Sequence, residues 1–274
     1  MNSTLLLIIL AVVSYFFGNI NWAIIISKLK RSDIRKMGSG NPGTLNMSRN
    51  LGLGLGLLTF LLDILKGAIP VLVAYFVFKD RGFFPNTEFK IVHFAPYLCG
   101  LCAVLGHIYP VIFKFKGGKG IASTIGVFIV SEAVGGWQWS IVVVMSLVAA
   151  GLFIYFTEFG AMGSFIAITP PAIGASIRLY LFYVHGGVQS NSIAAYVIVN
   201  MFIFAICFFT WFAHRSNIER MLSGDEHPTS IKEMVVKMKA KKAREKGVAL
   251  VGETNDNVES SSTQNEKQEK AKPE

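Results

Sequence analysis

Charge is scarce in this chain, and negative charge is the scarcer sign. Of 274 residues, 16% are charged, with 17 Asp and Glu against 26 Lys and Arg, while 52% are hydrophobic. This apolar content exceeds that of an ordinary soluble domain. The apolar stretches also lack the dyad alternation of a transmembrane β-barrel. The composition therefore predicts an integral membrane protein built from helices.

Motifs of several enzyme classes are also missing. Cys99 and Cys102 form a C-x-x-C inside an apolar run with no second pair, so we expect packing residues rather than redox or zinc ligands. No cluster has metal-ligand spacing, and we expect no metal and no other cofactor. Lys119 is followed by Gly120 instead of Ser or Thr, which argues against a Walker A loop. Neither a G-x-S-x-G nucleophile elbow nor a His-x4-Asp pattern occurs.

Long apolar runs divide the chain. A membrane-spanning helix needs ~20 mostly apolar residues. Seven runs are candidates, the fourth being the shortest: residues 4–27, 52–78, 92–113, 121–134, 138–157, 160–183 and 193–213. The sequence therefore predicts an all-α polytopic membrane protein with seven transmembrane helices.

Lysine and arginine are unevenly distributed between these runs. They cluster after run one, after run three and in the C-terminal tail, whereas the opposite loops carry only Lys79, Arg81, Lys90 and Arg178. Because cytoplasmic loops are enriched in Lys and Arg, we expect the N-terminus outside and the C-terminus in the cytoplasm. The start of the chain lacks the positive charge of a cleaved signal peptide. Topology and anionic lipids explain the net charge of +9, so no nucleic-acid partner is expected.

The composition changes again after the last apolar run. Apolar residues at helical spacing stand there among lysines: Ile231, Met234, Val235 and Met238. This pattern is typical of a basic amphipathic helix on the inner leaflet, with a solvated helical tail as an equal alternative. The polar composition beyond Gly247 predicts disorder. The predicted parts are a membrane domain, a basic amphipathic cytoplasmic helix and a disordered tail: residues 1–227, 228–246 and 247–274.

Three polar clusters interrupt the apolar pattern, each at the end of an odd-numbered run. They begin at Ser39, Gly106 and His214. A chain that crosses the membrane once per run would deliver all three to the same side. The clusters are rich in Gly, Asn, His, Lys and Arg and poor in carboxylates, so they predict one anion-binding site.

The first two clusters are rich in glycine. The segment Gly38-Ser-Gly-Asn-Pro-Gly43 permits a backbone whose N–H groups converge on a ligand, although an ordinary flexible turn is an equal alternative. In the second cluster Lys119 stands between glycines that would let a phosphate approach the backbone closely. His107, taken alone, is more typical of a buried structural histidine.

The third cluster closes run seven. His214 and Asn217 are spaced i and i+3, so they share a helix face. Arg215 and Arg220 are expected to anchor the membrane interface rather than to contact a ligand.

Two ionisable residues, Asp63 and Lys66, lie inside run two. Exposing both to lipid would cost about 5–7 kcal/mol on insertion scales, so they should face the bundle interior or a wet cavity. Their i, i+3 spacing allows a salt bridge. A purely structural pair is as well supported as a functional one.

Together these residues resemble a known family. The motifs are Ser39-Gly-Asn-Pro-Gly43 with Asn46 and Arg49, Asp63-x-x-Lys66-Gly67, Gly106-His107-x-Tyr-Pro with Lys116-Gly-Gly-Lys-Gly120, and His214-Arg-x-Asn-Ile-x-Arg with Gly224-x-Glu226. From about residue 5 to 227 they look like the bacterial membrane glycerol-3-phosphate acyltransferases of the PlsY type. The resemblance implies seven helices in a bacterial inner membrane, with the N-terminus outside and the active site facing the cytoplasm. It also implies transfer of a fatty acyl group from an acyl phosphate to the 1-hydroxyl of sn-glycerol 3-phosphate, giving lysophosphatidic acid and phosphate.

The resemblance carries over site residues and partners. The catalytic positions it implies are Ser39, Lys119, His214 and Asn217. The positions implied for substrate and phosphate binding are Gly40, Asn41, Gly43, Asn46, Arg49, Lys66, His107, Gly117, Gly118, Gly120 and Glu226. An acyl phosphate is already activated, so we expect direct attack, with the acceptor's phosphate or His214 taking the hydroxyl proton. The expected partners are the two substrates and membrane lipids, with no obligate protein partner.

The chain departs from the family pattern at one place. It reads Gly43-Thr-Leu-Asn46 where the family commonly has Gly-Ala-Thr-Asn, so Leu45 replaces a hydroxyl. A divergent member with another acyl donor or polyol-phosphate acceptor is therefore an alternative. A phosphate-ester transporter is a further alternative. It is disfavoured because the outer loops carry no comparable polar cluster and the sequence shows no internal duplication.

Overall fold

Helices follow one another almost without interruption in the computed structural model, which describes residues 2–82, 90–185, 193–225, 228–240 and 243. They are α1 (Ser3–Gly18), α2 (Trp22–Leu29), α3 (Thr44–Leu51), α4 (Leu53–Phe78), α5 (Ala95–Ile108), α6 (Ile121–Gly135), α7 (Ser140–Thr157), α8 (Gly160–Tyr180), α9 (Ile193–Phe212) and α10 (Arg215–Ser223). Short 3₁₀ turns occupy Ile34–Lys36, Ile91–His93, Val111–Phe113 and Trp137–Trp139, and a π-helical turn occupies Leu181–His185.

The chain forms two compact units, Met1–Ile231 and Lys232–Glu274. The first contains α1 to α10. In the second, residues 232–240 are helical. The predicted placement of the basic helix on the inner leaflet stays a prediction, and the tail predicted to be disordered lies outside the described residues.

Six helical segments of the described chain are long and apolar enough to cross a membrane. They are Ser3–Leu29, Leu53–Phe78, Ala95–Phe113, Trp137–Thr157, Gly160–His185 and Ile193–Phe212. The fourth predicted run corresponds to α6, which is apolar but has only 15 residues. At ~1.5 Å per residue such a helix is about 22 Å long, less than the ~30 Å of a hydrocarbon core. Residues 122–128 of α6 are all buried, so this helix is enclosed by its neighbours.

The first predicted run, residues 4–27, is a broken helix rather than a continuous one. The Asn19 side chain donates to the Tyr15 carbonyl oxygen at 2.7 Å. The Asn21 side chain accepts from the Ile24 N–H at 3.1 Å and so caps α2. Asparagine side chains compete in this way with helical backbone bonds. The break leaves the Ile20 carbonyl oxygen to accept from Lys66 Nζ at 2.8 Å.

Glycines allow the central helices to approach closely. A Cβ on Gly67 of α4 would overlap the Ser123 carbonyl oxygen of α6. A Cβ on Gly106 of α5 would likewise overlap the Tyr15 carbonyl oxygen of α1. Small residues at helix crossings give close van der Waals packing within a membrane. These contacts hold α4 against α6 and α5 against α1.

A largely buried ion pair ties three further helix positions together. Arg178 Nε of α8 donates to Glu132 Oε2 of α6 at 2.8 Å. Arg178 Nη2 also donates to the hydroxyl of Tyr97 in α5, at 2.8 Å. The three cysteines are free, and Cys99 and Cys207 are buried as the predicted packing residues should be.

Candidate functional site

A cavity of about 280 Å³ lies where the three polar clusters meet. Its polar wall consists of Ser39, Asn41, Gly43, Thr44, Asn46, Arg49, Asp63, His107, Lys119, Gly120, Ser164, His214, Asn217, Arg220 and Thr229. Its apolar wall comes mainly from α6, α7 and α8, with Ile121, Ile125, Leu147, Ala150, Ile154 and Ala167. Residues up to 190 positions apart in the sequence, from Ser39 to Thr229, therefore share one cavity.

Ten of the residues proposed from sequence line this cavity: Ser39, Asn41, Gly43, Asn46, Arg49, His107, Lys119, Gly120, His214 and Asn217. Gly40, Lys66, Gly117 and Gly118 lie outside the lining. Glu226 falls outside the described residues. The parts that all these residues play in binding and catalysis stay predictions.

Asn46 shapes the loop that carries Ser39. Its side chain is buried and donates to the carbonyl oxygens of Ile34 and Met37, at 3.2 and 3.0 Å. Its Oδ1 accepts from the Ser39 N–H at 3.2 Å. Gly38 has a φ of +52° and lies against Asn46 so closely that a Cβ would be 2.5 Å from Oδ1. Asn46 therefore acts first as the residue that holds the loop in place.

The glycine-rich turn before α6 rests on the end of α5. The Gly117 N–H donates to the Ile108 carbonyl oxygen at 3.1 Å, and the Gly118 N–H donates to the His107 carbonyl oxygen at 3.2 Å. A Cβ on Gly118 would overlap Nε2 of His107. This packing directs Lys119 across the cavity, where Nζ donates to Oδ1 of Asn217 in α10.

The electrostatics of the cavity favour an anion. Arg49, Lys119 and Arg220 line it, and Asp63 is the one carboxylate that the described residues contribute to its wall. The N-terminus of α6 opens on the same cavity through Gly120, Ile121 and Ala122. The first N–H groups of a helix have no intrahelical acceptor and carry positive partial charge, so they bind phosphates well.

The negative charge of Asp63 is paired with Lys66, which does not itself line the cavity. Lys66 Nζ lies 3.0 Å from Asp63 Oδ1, so the predicted salt bridge is present, and both side chains are buried. The same nitrogen lies 2.6 Å from Nδ1 of His107. Because an ammonium can only donate, Nδ1 accepts and the neutral ring carries its proton on Nε2. Lys66 thus links α4 to the histidine that lines the cavity.

His214 lies at the N-cap of α10 with its ring inside the protein. Nδ1 is 2.8 Å from the Thr210 carbonyl oxygen, which fixes the proton on Nδ1 and leaves a lone pair on Nε2. The ring meets Phe165 edge-on at 5.5 Å between centroids. Burial lowers the pKa of His214 from 6.5 to about 4, and the nearby Lys119 charge adds to this. The imidazole is therefore neutral near pH 7.

Ser164, Arg220 and Thr229 line the wall, although the predictions from sequence did not include them in the site. Arg220 lines the cavity instead of serving only as an interfacial anchor. Its i, i+3 spacing from Asn217 on α10 is the signal that could have placed it there. Ser164 and Thr229 line the cavity too, and no motif in the sequence points to either.

Comparisons with known proteins agree on one family. Residues 8–224 match the sequence model of the family described as glycerol-3-phosphate acyltransferase. A protein of that name from Aquifex aeolicus is 36% identical over 219 residues, which cover 80% of this chain and 96% of the relative. Another, from Mycoplasmopsis pulmonis, is 34% identical over 217 residues, covering 78% of this chain and 88% of the relative.

Solved structures give the same result. Two crystal structures of PlsY, an integral membrane glycerol 3-phosphate acyltransferase, are similar to this chain at 31% identity and cover 84% of it and 98% of the PlsY chain. The TM-score is 0.59 for the glycerol 3-phosphate form and 0.62 for the lysophosphatidic acid form.

Proposed function

Since this chain belongs to the glycerol-3-phosphate acyltransferase family, we propose that it transfers a fatty acyl group from an acyl phosphate to the 1-hydroxyl of sn-glycerol 3-phosphate. The products are lysophosphatidic acid and inorganic phosphate. The protein is a multi-pass membrane acyltransferase of phospholipid biosynthesis. The observation that carries the proposal is a single cavity with a cationic wall and an apolar wall.

The two walls match the two substrates. Both substrates carry a phosphate, and Arg49, Lys119 and the N-terminus of α6 offer donors to it. The acyl donor also carries a long alkyl chain, for which the apolar side chains of α7 and α8 provide a surface. Holding both substrates side by side converts a bimolecular reaction into an effectively unimolecular one.

The proposed reaction is a direct displacement. The 1-hydroxyl oxygen of glycerol 3-phosphate forms a bond to the acyl carbonyl carbon, and the bond from that carbon to the phosphate oxygen breaks. The electron pair of the broken bond leaves with inorganic phosphate. Lys119 and the α6 N–H groups stabilise the negative charge that develops on the carbonyl oxygen. The hydroxyl proton passes to the acceptor's own phosphate or to Nε2 of neutral His214.

Product formation by the purified protein tests this function. The assay follows inorganic phosphate and lysophosphatidic acid from palmitoyl phosphate and glycerol 3-phosphate, with palmitoyl-CoA as a parallel donor. We expect product when palmitoyl phosphate is the donor and none when palmitoyl-CoA is the donor. Product with palmitoyl-CoA only would contradict the proposal that an acyl phosphate is the donor. No product from either, together with glycerol 3-phosphate flux into vesicles, would favour the transporter.

We further propose seven spans, with α6 as the short fourth one, in the inner membrane of a bacterium. The N-terminus lies outside, the cavity faces the cytoplasm, and a basic helix and a polar tail follow the membrane domain on that side. The asymmetric distribution of Lys and Arg supports this orientation. In a variant without native cysteines, Asp80→Cys should react with an impermeant maleimide on intact spheroplasts, whereas Ser32→Cys should react only after lysis. The reverse labelling pattern would show that the orientation is opposite to the one proposed.

The protonation of His214 gives a pH prediction. Because its pKa in the folded protein, about 4, lies below 6.5, the neutral ring stabilises the fold fully above pH 6.5. That stabilisation is lost as the pH falls from 6.5 towards 4. NMR titration of labelled histidines, with His214→Gln to assign the signal, should give a midpoint below 5, roughly two units down from an exposed imidazole. A midpoint near 6.5 would contradict the buried neutral ring.

A further inference from the structure

A short segment after α10 packs onto the wall of the cavity. Thr229 is 1% exposed and lines the cavity. Its N–H donates to the Glu158 carbonyl oxygen at 2.8 Å, in the turn between α7 and α8. A Cβ built on Gly160 would lie 2.8 Å from the Thr229 hydroxyl oxygen. Thr229 therefore packs against this turn. Pro228 and Thr229 are called the C-terminal strap below.

The strap holds Arg49 through two acceptors. Nη2 of Arg49 donates to the hydroxyl of Thr229 and, at 3.3 Å, to the carbonyl oxygen of Pro228. A guanidinium is planar and carries its donors in a rigid fork, so anchoring one nitrogen fixes the direction of the others. The strap thus sets the orientation of an arginine on the cationic wall of the cavity.

This contact involves the part of the wall where the chain departs from its family pattern. Leu45 and Arg49 are spaced i, i+4 and share a face of α3. A Cβ on Gly160 would lie 3.0 Å from Leu45 Cδ1, so Leu45 and Thr229 meet over the same glycine. Leu45 offers no hydroxyl there, and the hydroxyl that reaches Arg49 is that of Thr229. Thr229 also lies beyond Gly224, the last residue that the family's sequence model matches.

We propose that Thr229 is a positioning residue for Arg49. Its hydroxyl holds the guanidinium in the orientation that binds a substrate phosphate group, so the C-terminal strap contributes to substrate affinity. This inference rests on the proposed acyltransferase function. It assigns a task to a residue outside the range that the family's sequence model matches.

Steady-state kinetics of three variants test the inference. Thr229→Val keeps the shape of the side chain and removes the hydroxyl, and Thr229→Ser keeps the hydroxyl. Thr157→Val is the matched control, because Thr157 at the end of α7 is exposed and does not line the cavity. Its hydroxyl hydrogen-bonds only the backbone of Phe153 and Phe159 among the described contacts. We expect Thr229→Val to raise one KM about tenfold with kcat within about twofold, as for lost uniform binding. Thr229→Ser and Thr157→Val should keep both constants near those of the wild type.

The substrate whose KM rises identifies the phosphate that Arg49 binds, glycerol 3-phosphate or the acyl phosphate. Either result supports the inference. In an Arg49→Ala background Thr229→Val should cause no further loss, because Thr229 acts through Arg49. Unchanged KM values in active Thr229→Val, or equal damage from Val and Ser, would overturn it. Thr229→Ala replaces the valine variant if that protein does not fold.

Calorimetric binding of inorganic phosphate to the same detergent-purified proteins separates this inference from the proposed function. A wild-type protein without acyltransferase turnover rejects the function. Weaker phosphate binding by Thr229→Val than by Thr229→Ser would still support the positioning of Arg49. Equal phosphate binding by both variants would reject it.

Discussion

Replacement of Lys119 by alanine is expected to lower kcat/KM for acyl transfer by about a hundred- to a thousandfold, the usual loss when a donor to a developing oxyanion is removed. Lys119 lines the cavity, and its Nζ donates to Oδ1 of Asn217 in α10. The side chain is only partly buried, so its removal leaves the helix packing intact. The melting temperature should therefore stay near that of the wild type.

Lys116→Ala is the matched control for this prediction. Lys116 belongs to the same glycine-rich turn, is exposed and does not line the cavity. We expect its kcat/KM to remain within about threefold of the wild type, as for an exposed charge distant from the reacting groups. Lys119→Arg should not restore full activity, because a planar fork does not replace a compact ammonium. Retention of wild-type turnover by Lys119→Ala would remove Lys119 from the proposed mechanism.

The convergence of the three polar clusters could be predicted because it follows from counting spans. If the chain crosses the membrane once per run, Ser39, Lys119 and His214 end at the same side whatever the details of packing. The pairing of Asp63 with Lys66 could be predicted for a similar reason, since unpaired charges within a membrane are too costly. Both predictions depend on large free energies and not on local geometry.

The details that sequence reading missed depend on contacts between distant residues. The break at residues 19–21 has Asn19 and Asn21 as local signals. The bond from Lys66 to the Ile20 carbonyl oxygen, however, depends on how α4 packs. Thr229 reaches Arg49 across 180 positions of sequence, and no periodicity records that contact. Arg220 was assigned to the interface because arginine is common there, although its helix turns it towards the cavity.

Sequence motifs also did not distinguish residues that line the cavity from those that support them. Lys66 is buried behind Asp63 and His107, and the glycines at 117 and 118 pack against His107. The Asn46 side chain hydrogen-bonds the backbone of the loop that carries Ser39. These residues come from the same set of family motifs as Lys119 and His214. The motifs therefore located the cavity, without separating the residues that line it from those that support them.

Lys66→Met is expected to destabilise the fold by about 3–5 kcal/mol, the cost of leaving one partner of a buried ion pair uncompensated. Lys66 and Asp63 are both nearly inaccessible, and Lys66 also bonds Ile20 and His107. The double variant Asp63→Asn with Lys66→Met removes both charges and should recover part of the loss. Unfolding in detergent, followed by circular dichroism, measures the difference.

Lys79→Met is the control for this pair, because Lys79 follows the last residue of α4 and is exposed, with Asp80 at 3.9 Å. An exposed pair of this kind is worth roughly 0–1 kcal/mol. Equal stability of Lys66→Met and Lys79→Met would contradict the buried pair. Loss of activity in the double variant despite recovered stability would instead indicate that the pair serves the site, through Asp63 on the cavity wall or through the Lys66 contact with His107. The two measurements together separate the structural from the functional reading of Asp63 and Lys66, which the sequence supports equally.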